Sequence, residues 1–298
     1  MQVPVFSHPD CIAHDPGPGH PESPERLRVL LARLREAPFV DLRESPTADL
    51  ADLLMIHDAS YLARLAETAQ RGGGVLDADT IMNSASWDAA RRSAGGAQAA
   101  VDHALEYSAT AFSAGRPPGH HALHDSAMGF CLLANAVLAA RRAASLGVQR
   151  VLIVDWDVHH GNGTQALVER EPGIHFVSMH RSPWWPGTGA ADERGIGNVW
   201  NVPRPPDLPA HRYVEDLWSA VDQATTGWPP ELVIVSAGFD SMTGDPLGGF
   251  TLEPEHYAEV TGRLRNLPAS PPLVGLLEGG YIPSRLADGV LAHLAALT

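Results

Sequence analysis

Five short apolar runs, residues 109–113, 151–154, 174–179, 232–236 and 273–277, each give way directly to glycine, proline, histidine or acidic residues. Near-continuous apolar runs of this length suit strands buried on both faces. Helical patterns occupy residues 24–37, 87–107, 130–146, 253–266 and 284–297, with Ser23 placed to cap the first of them and Pro24 at its first position. Strands alternating with helices predict a mostly parallel sheet covered on both sides. In such a sheet, ligands bind beyond the carboxyl ends of the strands. The polar segments 116–121, 155–160, 180–189, 238–245 and 278–281 should therefore meet along one edge. No repeat, low-complexity tract or linker divides the chain, and the proline-rich stretches 203–209 and 268–272 read as loops. The expectation is one α/β domain spanning residues 1–298.

Composition narrows the chemistry that this edge can carry. The formal net charge is −14, and all 21 basic residues are arginines. Without lysine there is no Schiff-base amine, P-loop lysine or Ser-Lys dyad. An acidic surface disfavours direct nucleic-acid binding and attracts cationic ligands, although it equally serves solubility. Two cysteines are too few for a disulfide scaffold or a cysteine-rich zinc module. Neither a signal peptide nor an apolar run of membrane-spanning length is present, so the sequence reads as that of an unexported, cytoplasmic protein without a membrane partner. The 15 histidines, several paired or beside aspartate, point to metal or proton chemistry.

The densest chemical segment is Asp155-Trp-Asp157-Val-His159-His160-Gly-Asn162, directly after the run 151–154. If extended geometry continues through it, Asp155, Asp157 and His159 share one face. Asp157 and His159 then qualify as metal ligands and Asp155 as a deeper orienting group. A catalytic zinc usually holds three protein ligands, and Asp240, closing another buried run, is the natural third. Two carboxylates and an imidazole favour Zn²⁺, with Fe²⁺ as the alternative ion. His120 and His121 sit on a stiff Pro-Gly segment, where neighbours in different environments hold different protonation states. Tyr281, after Glu278-Gly-Gly, is placed to donate a hydrogen bond to a developing oxyanion. Phe130, Trp184 and Trp185 either wall a narrow cleft or fill core.

In order and spacing, the segments 116–122, 155–165, 183–189, 238–246 and 278–281 resemble the zinc-dependent histone deacetylase family. The resemblance is greatest to its class II-like bacterial branch and to acetylpolyamine amidohydrolases. The opening His8-Pro-Asp-Cys11 and the segment 19–26 are similar to the start of that family. This resemblance implies an arginase-like domain with an eight-stranded parallel sheet. It also implies Asp157, His159 and Asp240 as zinc ligands, His121 as general base and then acid, and His120, supported by Asp155, as its electrostatic partner. Tyr281 would be the oxyanion donor, and Phe130 and Trp185 the channel walls. Asn162 stands where some members carry an aspartate that orients the second histidine. Asp79 matches a rim aspartate, and a structural K⁺ would take Asp155, Ser178 and carbonyls near Asp157, His159 and Met179.

The implied reaction is hydrolysis of an N-acetyl or other N-acyl amide, with an acylated amine or acyl-lysine as substrate. A homo-oligomer is compatible with the sequence. Three other readings compete. An acetylpolyamine enzyme should carry acidic groups at the channel mouth, where Leu247 offers none, although the global charge favours a cationic substrate. A binuclear ureohydrolase needs further carboxylates, and Met242 cannot hold a second hard cation. An acyl-binding module that has lost turnover would not be expected to keep every catalytic residue.

Overall fold

The computed structural model describes residues 2–298. From the start of the chain come β1 (Val3–Ser7), α1 (Asp10–Ala13), α2 (Pro24–Glu36), β2 (Val40–Glu44), α3 (Leu50–Leu53) and α4 (Ala59–Gln70). Next are β3 (Gly73–Val75), β4 (Ile81–Asn83), α5 (Ser86–Tyr107), β5 (Thr110–Ser113), α6 (Asn135–Ser145), β6 (Val151–Asp155) and α7 (Asn162–Val168). The chain ends with β7 (Ile174–Arg181), β8 (Val199–Arg204), α8 (Ala210–Thr225), β9 (Leu232–Ala237), α9 (Pro254–Arg265), β10 (Leu273–Leu277) and α10 (Pro283–Ala296).

Eight strands form one parallel sheet in the order β2-β1-β5-β10-β9-β6-β7-β8, and β3 and β4 make a separate antiparallel pair. Successive side chains of β6 face opposite sides: Leu152 and Val154 join the core beneath α2, α8, α9 and α10, whereas Val151 and Ile153 join the core beneath α4, α5 and α6. Both faces are therefore dry, which is why these strands read as continuous apolar runs. The five expected runs are β5, β6, β7, β9 and β10, and their parallel direction carries the five polar segments to one edge. Among the described residues no helix is long and apolar enough to cross a membrane.

Several expectations need correction. Three strands were not expected: β1 is buried along its whole length but its apolar residues are interrupted by Pro4, β2 is an edge strand that leaves Arg43 and Glu44 open, and β8 contains Pro203. The helix expected from Phe130 begins at Asn135, because Phe130 adopts a left-handed φ of 68° that an α-helix excludes. Ser23 does occupy the position before α2, but its side chain caps nothing. Finally, β6 stops at Asp155 and the backbone bends through residues 157–159, so the chain is not extended where the shared face was expected.

Candidate active site

That bend is organised by the carboxylates it carries. Asp155 Oδ1 accepts a hydrogen bond from the Asp157 amide (3.1 Å) and Asp157 Oδ1 accepts from the His159 amide (2.9 Å). Asp240, just past β9, accepts from the Val158 amide through Oδ1 (2.8 Å). Asp157 Oδ2 accepts from the Gly279 amide (2.9 Å) at the end of β10. Three strand ends are thus laced together by backbone donors that fix the carboxylates.

The ligating atoms of Asp157, His159 and Asp240 all lie within 4.8 Å of one another. His159 Nδ1 is 3.0 Å from Asp157 Oδ1 and 3.3 Å from Asp240 Oδ2. Asp240 Oδ2 is buried with no hydrogen-bond partner, a costly condition that a cation would relieve. Gly279 matters here, because a Cβ would stand 2.1 Å from that oxygen and 2.6 Å from Asp157 Oδ2. Burial, then the nearby Asp157 charge, pushes the Asp240 carboxyl up to about 7. Burial alone would lower His159, yet the hydrogen bond to Asp157 and the adjacent Asp240 carboxylate hold it near 9. The trio therefore calls for positive charge, and its oxygen and imidazole donors suit Zn²⁺ or Fe²⁺.

The adjacent histidines differ in their partners. His120 donates from Nδ1 to Asp155 Oδ2 (3.0 Å), and its Nε2 is 3.8 Å from Asp157. Burial opposes its charge, but Asp157 and Asp155 outweigh that and hold it well above the usual imidazole range. His121 instead donates from Nδ1 to Asn162 Oδ1 (2.7 Å), at the start of α7. Burial, followed by the charges of His120 and His159, holds His121 well below that range. One imidazole is kept charged and its neighbour neutral, with Nε2 of the neutral ring free to accept a proton.

Above them lies a cavity of about 160 Å³ lined by Asp79, His121, Gly129, Phe130, His159, Trp184, Trp185, Leu247 and Tyr281. Trp184 and Trp185 are 39% and 40% exposed, which places them at the cleft and not in the core. The Trp185 ring stands edge-on to His121 at 4.7 Å, and Phe130 edge-on to Tyr281 at 5.9 Å. Gly129, at φ 56°, permits this approach, since a Cβ would meet both His121 and Trp185. Burial, then Asp240, raises the Tyr281 phenol well above its usual range, keeping it a hydrogen-bond donor. Ser178 pairs in register with Asp155, its hydroxyl bonded to His180 (3.0 Å), while the Met179 side chain packs in the core.

Reading the sequence missed the groups that hold this machinery. Glu22 pairs with both Arg26 and Arg116, all three fully buried. Arg26 donates to the Gly280 carbonyl (2.6 Å) and lies 5.0 Å from the Tyr281 ring. Asp245 accepts from the Tyr281 amide (2.7 Å), and Glu278 from the Gly119 amide (2.7 Å). Glu278, a charged residue between an apolar run and two glycines, was the available signal, whereas Arg26 is one of four arginines in α2 and gave none.

The family model for the histone deacetylase domain matches residues 20–297. A histone deacetylase-like amidohydrolase from Pseudomonas aeruginosa is 40% identical over 276 residues, covering 88% of this chain and 73% of that protein. A probable deacetylase from Methanothermobacter thermautotrophicus is 36% identical over 287 residues, covering 94% and 86%. The crystal structure of the HDA15 HD domain superposes with a TM-score of 0.94 at 34% identity, covering 99% of this chain and 90% of that one. With that fold and that edge of carboxylates and imidazoles, the chain belongs to the histone deacetylase family and is an amidohydrolase of that family.

Proposed function

We propose that the chain hydrolyses an N-acetyl or other short N-acyl amide carried by acyl-lysine or a small acylated amine. Asp157, His159 and Asp240 would hold Zn²⁺, with Fe²⁺ as the alternative. Bound there, the ion supplies a Lewis acid for the amide carbonyl and makes a water more acidic. His121 takes the proton of the attacking water at Nε2 and returns it to the departing amine nitrogen. Asn162 holds the His121 ring in that orientation. His120, held charged against Asp155, offsets negative charge as it develops. Tyr281 donates its phenol proton in a hydrogen bond to the carbonyl oxygen. Phe130 and Trp185 flank the acyl-bearing stem and keep water from its sides, Leu247 adds an apolar edge, and Asp79 at the rim accepts from substrate N–H groups. A structural K⁺ near Asp155 and Ser178, with carbonyls about Asp157, His159 and Met179, belongs to the same proposal.

The observation that carries this reading is the pair of neighbouring histidines with opposite protonation preferences beside a three-donor cation site. The test compares kcat/KM for acetyl-lysine peptides, acetylpolyamines and longer acyl-lysines on the zinc-loaded protein, before and after chelation. Chelator-sensitive, zinc-restored amine release is expected, with acetyl-lysine ahead of acetylpolyamines because Leu247 brings no charge to the cleft. Acetylpolyamines in the lead would replace the substrate class. No release from any of them would sink the reading.

A further inference from the structure

A second group of metal-ligating side chains shares His120 with the reaction above and adds two residues, Cys131 and Glu278, that it does not use. A ring nitrogen of His120, the Cys131 thiol and a Glu278 carboxylate oxygen all lie within 4.8 Å of one another. All three residues are buried, at 3%, 0% and 1% exposure. Glu278 Oε2 is occupied by the amides of Gly119 (2.7 Å) and His120 (3.3 Å), whereas Oε1 is buried with no partner. A buried carboxylate oxygen without a donor is expensive to retain unless something sits against it. No arginine side chain fills that role, since Arg26 donates to the Glu278 backbone carbonyl and leaves the carboxylate alone.

We propose that His120, Cys131 and Glu278 form a second, inhibitory site for a thiophilic divalent ion such as Zn²⁺, sharing no ligand with the Asp157, His159 and Asp240 trio. A thiolate, an imidazole and a carboxylate are the donor types that zinc accepts together. The charge balance also suits a dry interior. A divalent ion between the Cys131 sulfur and the Glu278 carboxylate would be matched by the two negative charges of a thiolate and a carboxylate. Burial keeps that thiol protonated until an ion displaces the proton. The ion would hold the His120 ring as a ligand and so take that imidazole out of the reaction. Binding rests on the cluster alone, while inhibition rests on the role given to His120 above.

Sulfur separates the two sites in an experiment, because the trio contains none. The protein carrying one equivalent of Zn²⁺ is titrated with Co²⁺ and followed by absorbance and metal analysis. The expected result is a second equivalent with a sulfur-to-cobalt charge-transfer band in the near ultraviolet. Cys131→Ser should lose both band and second equivalent, Cys11→Ser should keep them, and Glu278→Gln should weaken the second equivalent at least about tenfold. Excess Zn²⁺ should quench the band over the same concentrations that halt amide hydrolysis. No band, or a band that survives Cys131→Ser, would overturn the site; if Cys131→Ser does not fold, undiminished affinity in Glu278→Gln does the same. A band without loss of turnover would leave the site standing and overturn its inhibitory role, and with it the role of His120.

Discussion

His121 and Asn162 meet at 2.7 Å, imidazole Nδ1 to amide oxygen, and the amide nitrogen of Asn162 is itself turned towards Met128 Sδ at 3.3 Å. A neutral partner fixes the His121 tautomer without adding charge, so burial decides its proton affinity. A carboxylate in its place would raise that affinity by about one to three pH units. A base must be unprotonated to act. The acid limb of kcat/KM in Asn162→Asp should therefore move to higher pH by about that amount. A limb that stays in place would detach Asn162 from the proton on His121.

Tyr281 is held by Asp245 through its amide and backed by the Arg26 cation. Its phenol is the donor assigned to the developing oxyanion. Tyr281→Phe should lower kcat by about 10²–10³ while metal content stays the same. Full kcat in that variant would take the phenol out of the mechanism.

Removing the ion leaves the Asp157 and Asp240 carboxylates converging without it. Chelation should abolish turnover and lower Tm, and added Zn²⁺ should restore both. At a free ion concentration near 1,000 Kd the ligand stabilises by about 4 kcal/mol, which for a chain of this size is roughly 6–7 °C. Asp240→Asn should bind zinc poorly and show little of this shift in calorimetry. An unchanged shift in that variant would place the ion elsewhere.

Arg181 ties together two loops of the cleft: its guanidinium carbon lies 3.5 Å from the Trp184 ring centroid, and Nη1 donates to the Gly248 carbonyl at 2.7 Å. Losing a cation–π contact and a charged hydrogen bond removes about 1–2 kcal/mol of positioning. Arg181→Ala should raise KM about tenfold and leave kcat nearly intact. A fall in kcat at constant KM would instead make Arg181 part of the chemistry.

His57 is buried, with Nδ1 donating to the Leu123 carbonyl at 2.9 Å and Nε2 accepting from the Ala134 amide at 3.0 Å. Both nitrogens are used by the neutral ring, and burial lowers its pKa from 6.5 to about 4. Between those values the unfolded chain takes up a proton that the fold refuses, so this stability is complete above about pH 6.5 and lost as pH falls towards 4. The wild-type unfolding free energy, from denaturant titration, should drop between pH 7 and pH 5, and in His57→Gln that drop should be smaller by about 2 kcal/mol. Equal drops would mean that His57 carries no such linkage.

The parts of this protein that depend on local chemistry were legible in its sequence. Both faces of the central strands are covered, so they appeared as unbroken apolar runs, and the reactive residues stood directly after them. The edge strands β2 and β8 were not legible, because a partly open strand needs no such run, whereas β1, buried throughout, was masked by Pro4. The left-handed turn at Phe130 and the bend after Asp155 were hidden for a related reason: both are held by contacts with residues remote in the chain, among them Thr80, whose hydroxyl accepts from the Phe130 amide, and Gly279. Only the tertiary structure decided that Asp240 meets Asp157 and His159, because the sheet order sets β9 beside β6 although β7, β8 and α8 lie between them in the chain. It likewise decided the protonation of His120 and His121. They are neighbours in sequence, yet opposite charge states follow from burial and from which side chain, Asp155 or Asn162, the fold brings to each ring.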